Sequence, residues 1–358
     1  MAFRKRIRRS YQRPIVTVIV PARNEEACLE NCLLSLLGQE GIPFEVIVVD
    51  DGSTDDTRKI AESFHSVRVM SAPPLPENWC GKSNAVAFGA RHARGDWFLF
   101  TDADTVHKPG SLARAVAEAE RHRADLLSYS PEQVVKTFWE KAVMPVVFAE
   151  LASTFKPKEV SDPRSSVAAA NGQYLLVRRH AYELIGGHAA IAHTLLEDVD
   201  LARSIKEAGG RLFFRYGGDA VKTRMYRNFR QLREGWTKNL ALLFPDAREL
   251  AARRMLEFAG IVFCLAISTG FAFFQHFVVA AGFAGLTVAF WTKFLKRIRH
   301  AHFGSTSEIV SIFGLPMFAW LLRRSVKSYA KGAVTWKGRS YPAATERATK
   351  RVPEKTLN

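Results

Sequence analysis

Asp102 and Asp104 follow the apolar run Trp97 to Thr101, and an i, i+2 pair at a strand end lets two carboxylates converge on one hard divalent cation. Magnesium or manganese with oxygen ligands and a bound diphosphate suits that arrangement. A DxD alone occurs often by chance, but here it lies between a predicted strand and a helix set up by Pro109. Two other apolar runs end in the same way: Val16 to Val20 leads into Pro21-Ala22-Arg23-Asn24-Glu25, and Glu45 to Val49 leads into Asp50-Asp51-Gly52-Ser53. Acidic side chains gathered at three neighbouring strand ends repel one another unless a cation or a hydrogen-bonding ligand compensates. Asp55 and Asp56 read as ordinary turn formers. Lys82, in Gly81-Lys82-Ser83, opens a helix and is placed to meet a diphosphate. It is not a P-loop lysine, because Pro76 stands where that motif requires its first glycine. Glu197, Asp198 and Asp200 sit where a helix through Ala208 begins, so by residue type alone they are an acidic first turn favoured by the helix dipole.

The elements that position these residues alternate between short apolar runs and amphipathic stretches, which predicts an α/β fold with a mostly parallel sheet. Strands are expected at Val16 to Val20, Glu45 to Val49, Val67 to Met70, Trp97 to Thr101 and Leu126 to Tyr129. A helix over Glu25 to Leu37 would place Ala27, Leu29, Leu33, Leu34 and Leu37 on one face. Ser53 and Asp56 resemble a capping box opening a helix through about Phe64. Gly38 to Pro43 and the Pro-rich Ser71 to Asn78 read as loops. Ligands of such sheets bind beyond the carboxyl ends of the strands, where the acidic loops lie.

The chain has 358 residues, with 51 Lys and Arg against 35 Asp and Glu, a formal charge of +16. Such an excess suits nucleic acid or an anionic membrane, and its placement favours the membrane. The basic residues open the chain (Arg4 to Arg9) and flank an apolar tract, as Lys293, Lys296, Arg297 and Arg299 and then Arg323, Arg324, Lys327 and Lys331. No basic motif with interleaved aromatics appears, so no nucleic-acid partner is expected. From Phe258 to Thr292 there is no charged residue, too long a run for one membrane span of roughly 20 residues and long enough for two. The expected hairpin runs Phe258 to Phe274 and Phe277 to Trp291, both slightly short, turning at Gln275 and His276. Ile309 to Leu322 carries Pro316 and is expected to be interfacial or re-entrant. The positive-inside rule puts the basic flanks, and the chain before them, in the cytoplasm. The start is too weakly apolar for a signal peptide, and four cysteines without a CxxC pair fit a reducing compartment. The expected organisation is a basic segment 1–14, a cytoplasmic catalytic domain 15–250, a membrane-attached helical region 251–335 and a polar tail 336–358.

Thr17 to Glu25 (TVIVPARNE), Glu45 to Thr57 (EVIVVDDGSTDDT), Gly81 to Ala85 (GKSNA), Thr101 to Thr105 (TDADT) and Leu195 to Leu201 (LLEDVDL) resemble, in order and spacing, the family 2 glycosyltransferases of GT-A fold. Ala72 to Lys82 (APPLPENWCGK) and Arg233 to Leu240 (REGWTKNL) look like the membrane-attached branch with the hopanoid-associated and carotenoid enzymes. The resemblance implies a nucleotide-sugar site at Pro21, Arg23, Glu25, Asp50, Asp51, Lys82, Asp102 and Asp104, with the divalent cation (Mn2+ or Mg2+) at Asp104 and Asp102. It implies Asp198 as catalytic base, with Glu197 beside it. The implied reaction is an inverting, metal-dependent transfer of a hexose, most commonly from a UDP-linked donor, to a hydroxyl or phosphate of a lipid-like acceptor at the cytoplasmic membrane face. Asn171 to Tyr174 and Gly186 to His188 fall where the family closes over its ligands, and His188 and His193 are weaker candidates. The QxxRW motif of polymerising members is not intact at Gln231 to Trp236, so the enzyme is expected to be non-processive. The alternatives are a catalytically silent membrane scaffold and a sugar-nucleotide nucleotidylyltransferase, although the Pro21 to Glu25 loop lacks the latter's glycines.

Overall fold

The computed structural model describes residues 14–332, 334–336 and 339–341. The expected basic start, 1–14, and polar tail, 336–358, lie almost wholly outside the described residues. The chain forms two compact units that interleave in sequence, one of Met1–Glu132 with Pro157–Thr223 and one of Gln133–Lys156 with Arg224–Asn358.

The first unit is built on a seven-stranded sheet in the order Val67–Ser71, Phe44–Asp50, Val16–Ala22, Trp97–Phe100, Leu175–Arg178, Leu126–Ser130, Leu212–Tyr216. The central runs are almost wholly apolar because helices cover both faces. Val16, Val18 and Val20 pack on Leu29, Leu33 and Leu36 on one side, while Ile47 and Val49 meet Ala85 on the other. The sheet is mostly parallel, with one exception. Leu175–Arg178 runs antiparallel between Trp97–Phe100 and Leu126–Ser130; at four residues it is too short to show a period. Gly89 lets the Gly81–Arg91 helix lie close to the sheet, since a Cβ there would stand 2.7 Å from Ile19 Cγ2.

The first helix is Leu29–Leu37, with Leu36 buried and Leu34 56% exposed, so its buried face is rotated from the expected one. It starts four residues later than expected, after a turn in which Glu25 C=O accepts from Cys28 N–H and Leu29 N–H. The capping box at Ser53 does not form. Asp55 Oδ1 instead accepts from Thr57 N–H (3.0 Å) and Thr57 Oγ1–H (2.5 Å), and the helix is Thr57–Glu62. After Asp104 a short strand, Thr105–His107, pairs with Val221–Thr223 before the helix Ser111–Arg121 begins past Pro109 and Gly110.

The second unit is helical. Phe138–Thr154, Phe229–Leu243 and Gly314–Ala330 contribute Val143, Val147, Trp236, Leu240, Phe318 and Leu322 to one core. Ala247–Phe273 and Phe277–Ile298 form the expected hairpin, turning at Gln275, but with 27 and 22 residues they are longer than expected. They gain length because the charged turns at either end stay helical. Among the described residues three stretches are long and apolar enough to cross a membrane: Ala247–Phe273, Phe277–Ala301 and Ser305–Ala330. The most apolar windows of the first two are only 11% buried within the chain, against 50% for the third. Pro316 does not break the third, because it is the third residue of Gly314–Ala330, where its missing N–H has no partner to lose.

At the base of the hairpin four charges meet. Arg254 binds Glu150 through Nε (2.9 Å) and Nη2 (3.1 Å) and Glu257 through Nη1 (2.9 Å), while Arg297 lies 2.9 Å from Glu257 and 3.4 Å from Glu150. The cluster is electrically balanced.

Candidate active site

The parallel register aligns Ala22 with Asp50, and Ile19 with Phe100, so the loops that follow these strands emerge side by side at one edge of the sheet. The first two loops are laced together. Arg23 Nη1–H donates to Asp51 C=O at 2.8 Å and lies 3.9 Å from Asp51 Oδ2. Asn24, left-handed at φ 53°, accepts at Oδ1 from Thr54 N–H (2.8 Å), and Glu25 N–H donates to Thr57 Oγ1 (2.7 Å). Asp50 is buried and accepts from Ser53 N–H at 3.2 Å. Arg23, Asp50 and Asp51 thus shape the pair of loops whatever else they bind.

Beside them a cleft is lined by Pro21, Lys82, Asp102, Gly172, Glu197 and Asp198, among others. Lys82, in the first turn of its helix, donates to Asp102 Oδ1 at 2.7 Å and reaches Glu197 Oε1 at 2.8 Å. One ammonium thus bridges the strand-end carboxylate and the first residue of the Glu197–Glu207 helix. Asp198 Oδ2 accepts from Gly172 N–H at 2.8 Å, and Oδ1 from Val199 N–H at 2.9 Å. A Cβ at Gly172 would sit 3.0 Å from Lys82 Nζ and 3.4 Å from Asp198 Oδ2, so only glycine fits without displacing the lysine. Burial, reinforced by Glu197, pushes the Asp198 carboxyl up to about 6, against the pull of Lys82 and the two amides. Lys82 is held well above the usual lysine range: burial opposes its charge, but Asp102, Glu197 and Asp198 outweigh it.

The DxD turn hangs on a buried polar network. Thr105 Oγ1–H donates to Asp102 C=O (2.7 Å), Thr223 Oγ1–H to Asp104 C=O (3.2 Å) and Thr101 Oγ1–H to Gln173 C=O (2.7 Å). His107 Nε2 lies 3.1 Å from Thr101 Oγ1 and 3.2 Å from Thr105 Oγ1, and burial pushes it down to about 3, so it stays neutral. Sequence reasoning missed these supports. The threonines on either side of Asp-Ala-Asp in TDADT were the available signal, since a hydroxyl there can fix the turn's carbonyls.

Of the expected site residues, the structure brings Pro21, Lys82, Asp102, Glu197 and Asp198 into one cleft and sets Arg23, Glu25, Asp50 and Asp51 in the adjoining loops. Asp104 is not part of the cleft lining among the described residues; its carboxylate Oδ1 is buried. His188 lines the cleft but is packed edge-on against Phe100 with Nδ1 3.0 Å from Tyr182 Oη, and burial pushes it down to about 4. His193 is exposed.

The sheet edge thus carries a DxD turn, a lysine and a carboxylate pair, as expected of a glycosyltransferase of GT-A fold. Residues 17–185 match the family model described as Glycosyl transferase family 2. It is 27% identical over 351 residues to the 4,4'-diaponeurosporenoate glycosyltransferase of Staphylococcus aureus (strain USA300), covering 94% of this chain and 91% of that one. A mannosyltransferase from Pyrobaculum calidifontis, solved in complex with GDP-Man and Mn2+, has the same fold with a TM-score of 0.53 at 21% identity, covering 89% of this chain and 87% of that one.

Proposed function

We propose that this glycosyltransferase moves a hexose from a nucleoside diphosphate sugar to a hydroxyl or phosphate of a lipid-like acceptor, with inversion at the anomeric carbon and one transfer per encounter. The observation that carries the reading is Asp198, held by two backbone N–H groups in a cleft that it shares with Lys82 and Asp102. In a single displacement the acceptor oxygen attacks the anomeric carbon, its proton passes to Asp198, and the bond to the diphosphate breaks. Arg23 and Asp51 in the laced loops would receive the nucleoside, and Lys82 the diphosphate.

The donor set suits a hard divalent ion. Asp102 and Asp104 would hold it through carboxylate oxygens, the ligand type such an ion prefers, together with oxygens of the donor diphosphate. Such an ion neutralises charge on the leaving diphosphate. The apolar hairpin supports a membrane location, and the basic residues at its ends support a cytoplasmic face for the catalytic unit. The acceptor in the name of the Staphylococcus aureus relative, diaponeurosporenoate, supports a lipid-like acceptor for this chain. UDP-linked and GDP-linked donors are both to be tried.

The test is a thermal-shift and hydrolysis screen of nucleotide sugars on the full chain in detergent, with and without Mn2+ or Mg2+, alongside Asp104→Ala. One nucleotide should raise the melting temperature in a metal-dependent way, and the variant should lose that rise. No stabilisation by any nucleotide sugar sinks the proposal. A pH dependence also follows. Because the Asp198 carboxyl is raised to about 6, the base is protonated below that pH, so kcat/KM should fall on the acid side of pH 6 and level off above it. A rate that stays flat from pH 7 to 5 would remove Asp198 from this role.

A further inference from the structure

We infer that Lys82 and the divalent cation compete for Asp102, so that the cation enters tightly only together with the diphosphate that takes the lysine over. The inference rests on the metal-dependent transfer proposed above. It starts from geometry. The Lys82 ammonium is 2.7 Å from Asp102 Oδ1 and 2.8 Å from Glu197 Oε1, which leaves it bound to the carboxylate that would ligate the metal. A dication bound to the same carboxylate at an ordinary metal–oxygen distance would lie within a few ångströms of that ammonium, where repulsion between cations in a partly desolvated cleft is strong.

A diphosphate changes the balance. It brings at least two negative charges to the first turn of the Gly81–Arg91 helix, where free backbone N–H groups and Lys82 together make an anion site. Lys82 can then exchange Asp102 for a phosphate oxygen, and Asp102 is released to the metal. The exchange needs only a side-chain rotation. Lys82 is 37% exposed, and Gly172 puts no Cβ against its ammonium. Metal and nucleotide would thereby be thermodynamically coupled, each tightening the other by the same factor. The coupling also keeps a cation beside Glu197 and Asp198 throughout.

Mn2+ binding to the full chain in detergent, followed by electron paramagnetic resonance of the free ion, tests this with and without UDP or GDP, corrected for metal chelated by nucleotide alone. Wild type should bind Mn2+ weakly alone and at least about tenfold more tightly with the accepted nucleotide. Lys82→Met should bind Mn2+ alone at least about tenfold more tightly than wild type and gain little from nucleotide. Lys82→Arg, which keeps the charge, should retain the wild-type pattern. If Mn2+ binds wild type equally well with and without nucleotide, the inference is overturned without use of any variant. It is equally overturned if Lys82→Met, melting cooperatively, gains no affinity for Mn2+ alone, or if Lys82→Arg gains as much as Lys82→Met. Failure of wild type to bind Mn2+ with either nucleotide would instead overturn the metal-dependent reading and this inference with it.

Discussion

Asp198→Asn will abolish sugar transfer, lowering kcat by roughly 10²- to 10⁴-fold, while leaving nucleotide-dependent thermal stabilisation close to wild type. The substitution preserves shape and removes the capacity to take a proton. Two hydrogen bonds hold the carboxylate, from Gly172 N–H and Val199 N–H, and an Asn oxygen keeps one of them, so the fold should lose only about 1 kcal/mol. Glu197 provides the internal control. It lies in the same cleft but is bound to Lys82, so Glu197→Gln should act mainly through the lysine and reduce transfer less. Transfer assays with the accepted donor, run beside thermal shifts with nucleotide, decide the matter. An Asp198→Asn enzyme with near wild-type turnover means that the base lies elsewhere; a variant that has lost both transfer and nucleotide stabilisation would place Asp198 in donor binding.

The parts of this site that were legible in the sequence are those whose chemistry lies in side-chain type. Asp102 follows an apolar run, and such runs mark strand ends when helices cover both faces of a sheet; Lys82 stands out as a lysine opening a helix, whereas Asp198 by type alone is part of an acidic helix first turn and stands out only through the family resemblance. Gly172 N–H, which holds Asp198, is a backbone group with no signature of its own: the resemblance placed the Asn171 to Tyr174 loop near the ligands, but not its contact with Asp198. Leu175–Arg178 was missed for a related reason. Four apolar residues have no period, and only their two antiparallel partners make them a strand. At the Leu29–Leu37 helix the periodicity was right and the phase was wrong, because a turn at Glu25 to Cys28 delayed the start and turned Leu34 outwards. In the apolar C-terminal region composition located the hairpin, but its helices run on through charged residues that pair with each other.

That pairing carries the second large effect. Arg254→Met should destabilise the protein by about 3–5 kcal/mol, as removal of one partner from a buried ion cluster does. Arg254 makes a two-point contact with Glu150, whose side chain is 7% exposed, and a third contact with Glu257. Without it, two carboxylates share the one guanidinium of Arg297 and the cluster is left with a net negative charge at the root of an apolar hairpin. Arg254→Lys should fall between, since an ammonium cannot reproduce the two-point geometry. Replacing Arg254 and Glu150 together by apolar residues of similar size should restore much of the loss, because no charge is then left unpaired. Melting temperatures in detergent for the two single variants and the double variant give the comparison, and a single Arg254→Met variant that melts with wild type would show the cluster to be dispensable. Its position explains why it should not be. Arg254, Glu257 and Arg297 bracket the uncharged run from Phe258 to Thr292 at both ends, so the same contacts that balance the charges tie the two helices together where they leave the apolar tract.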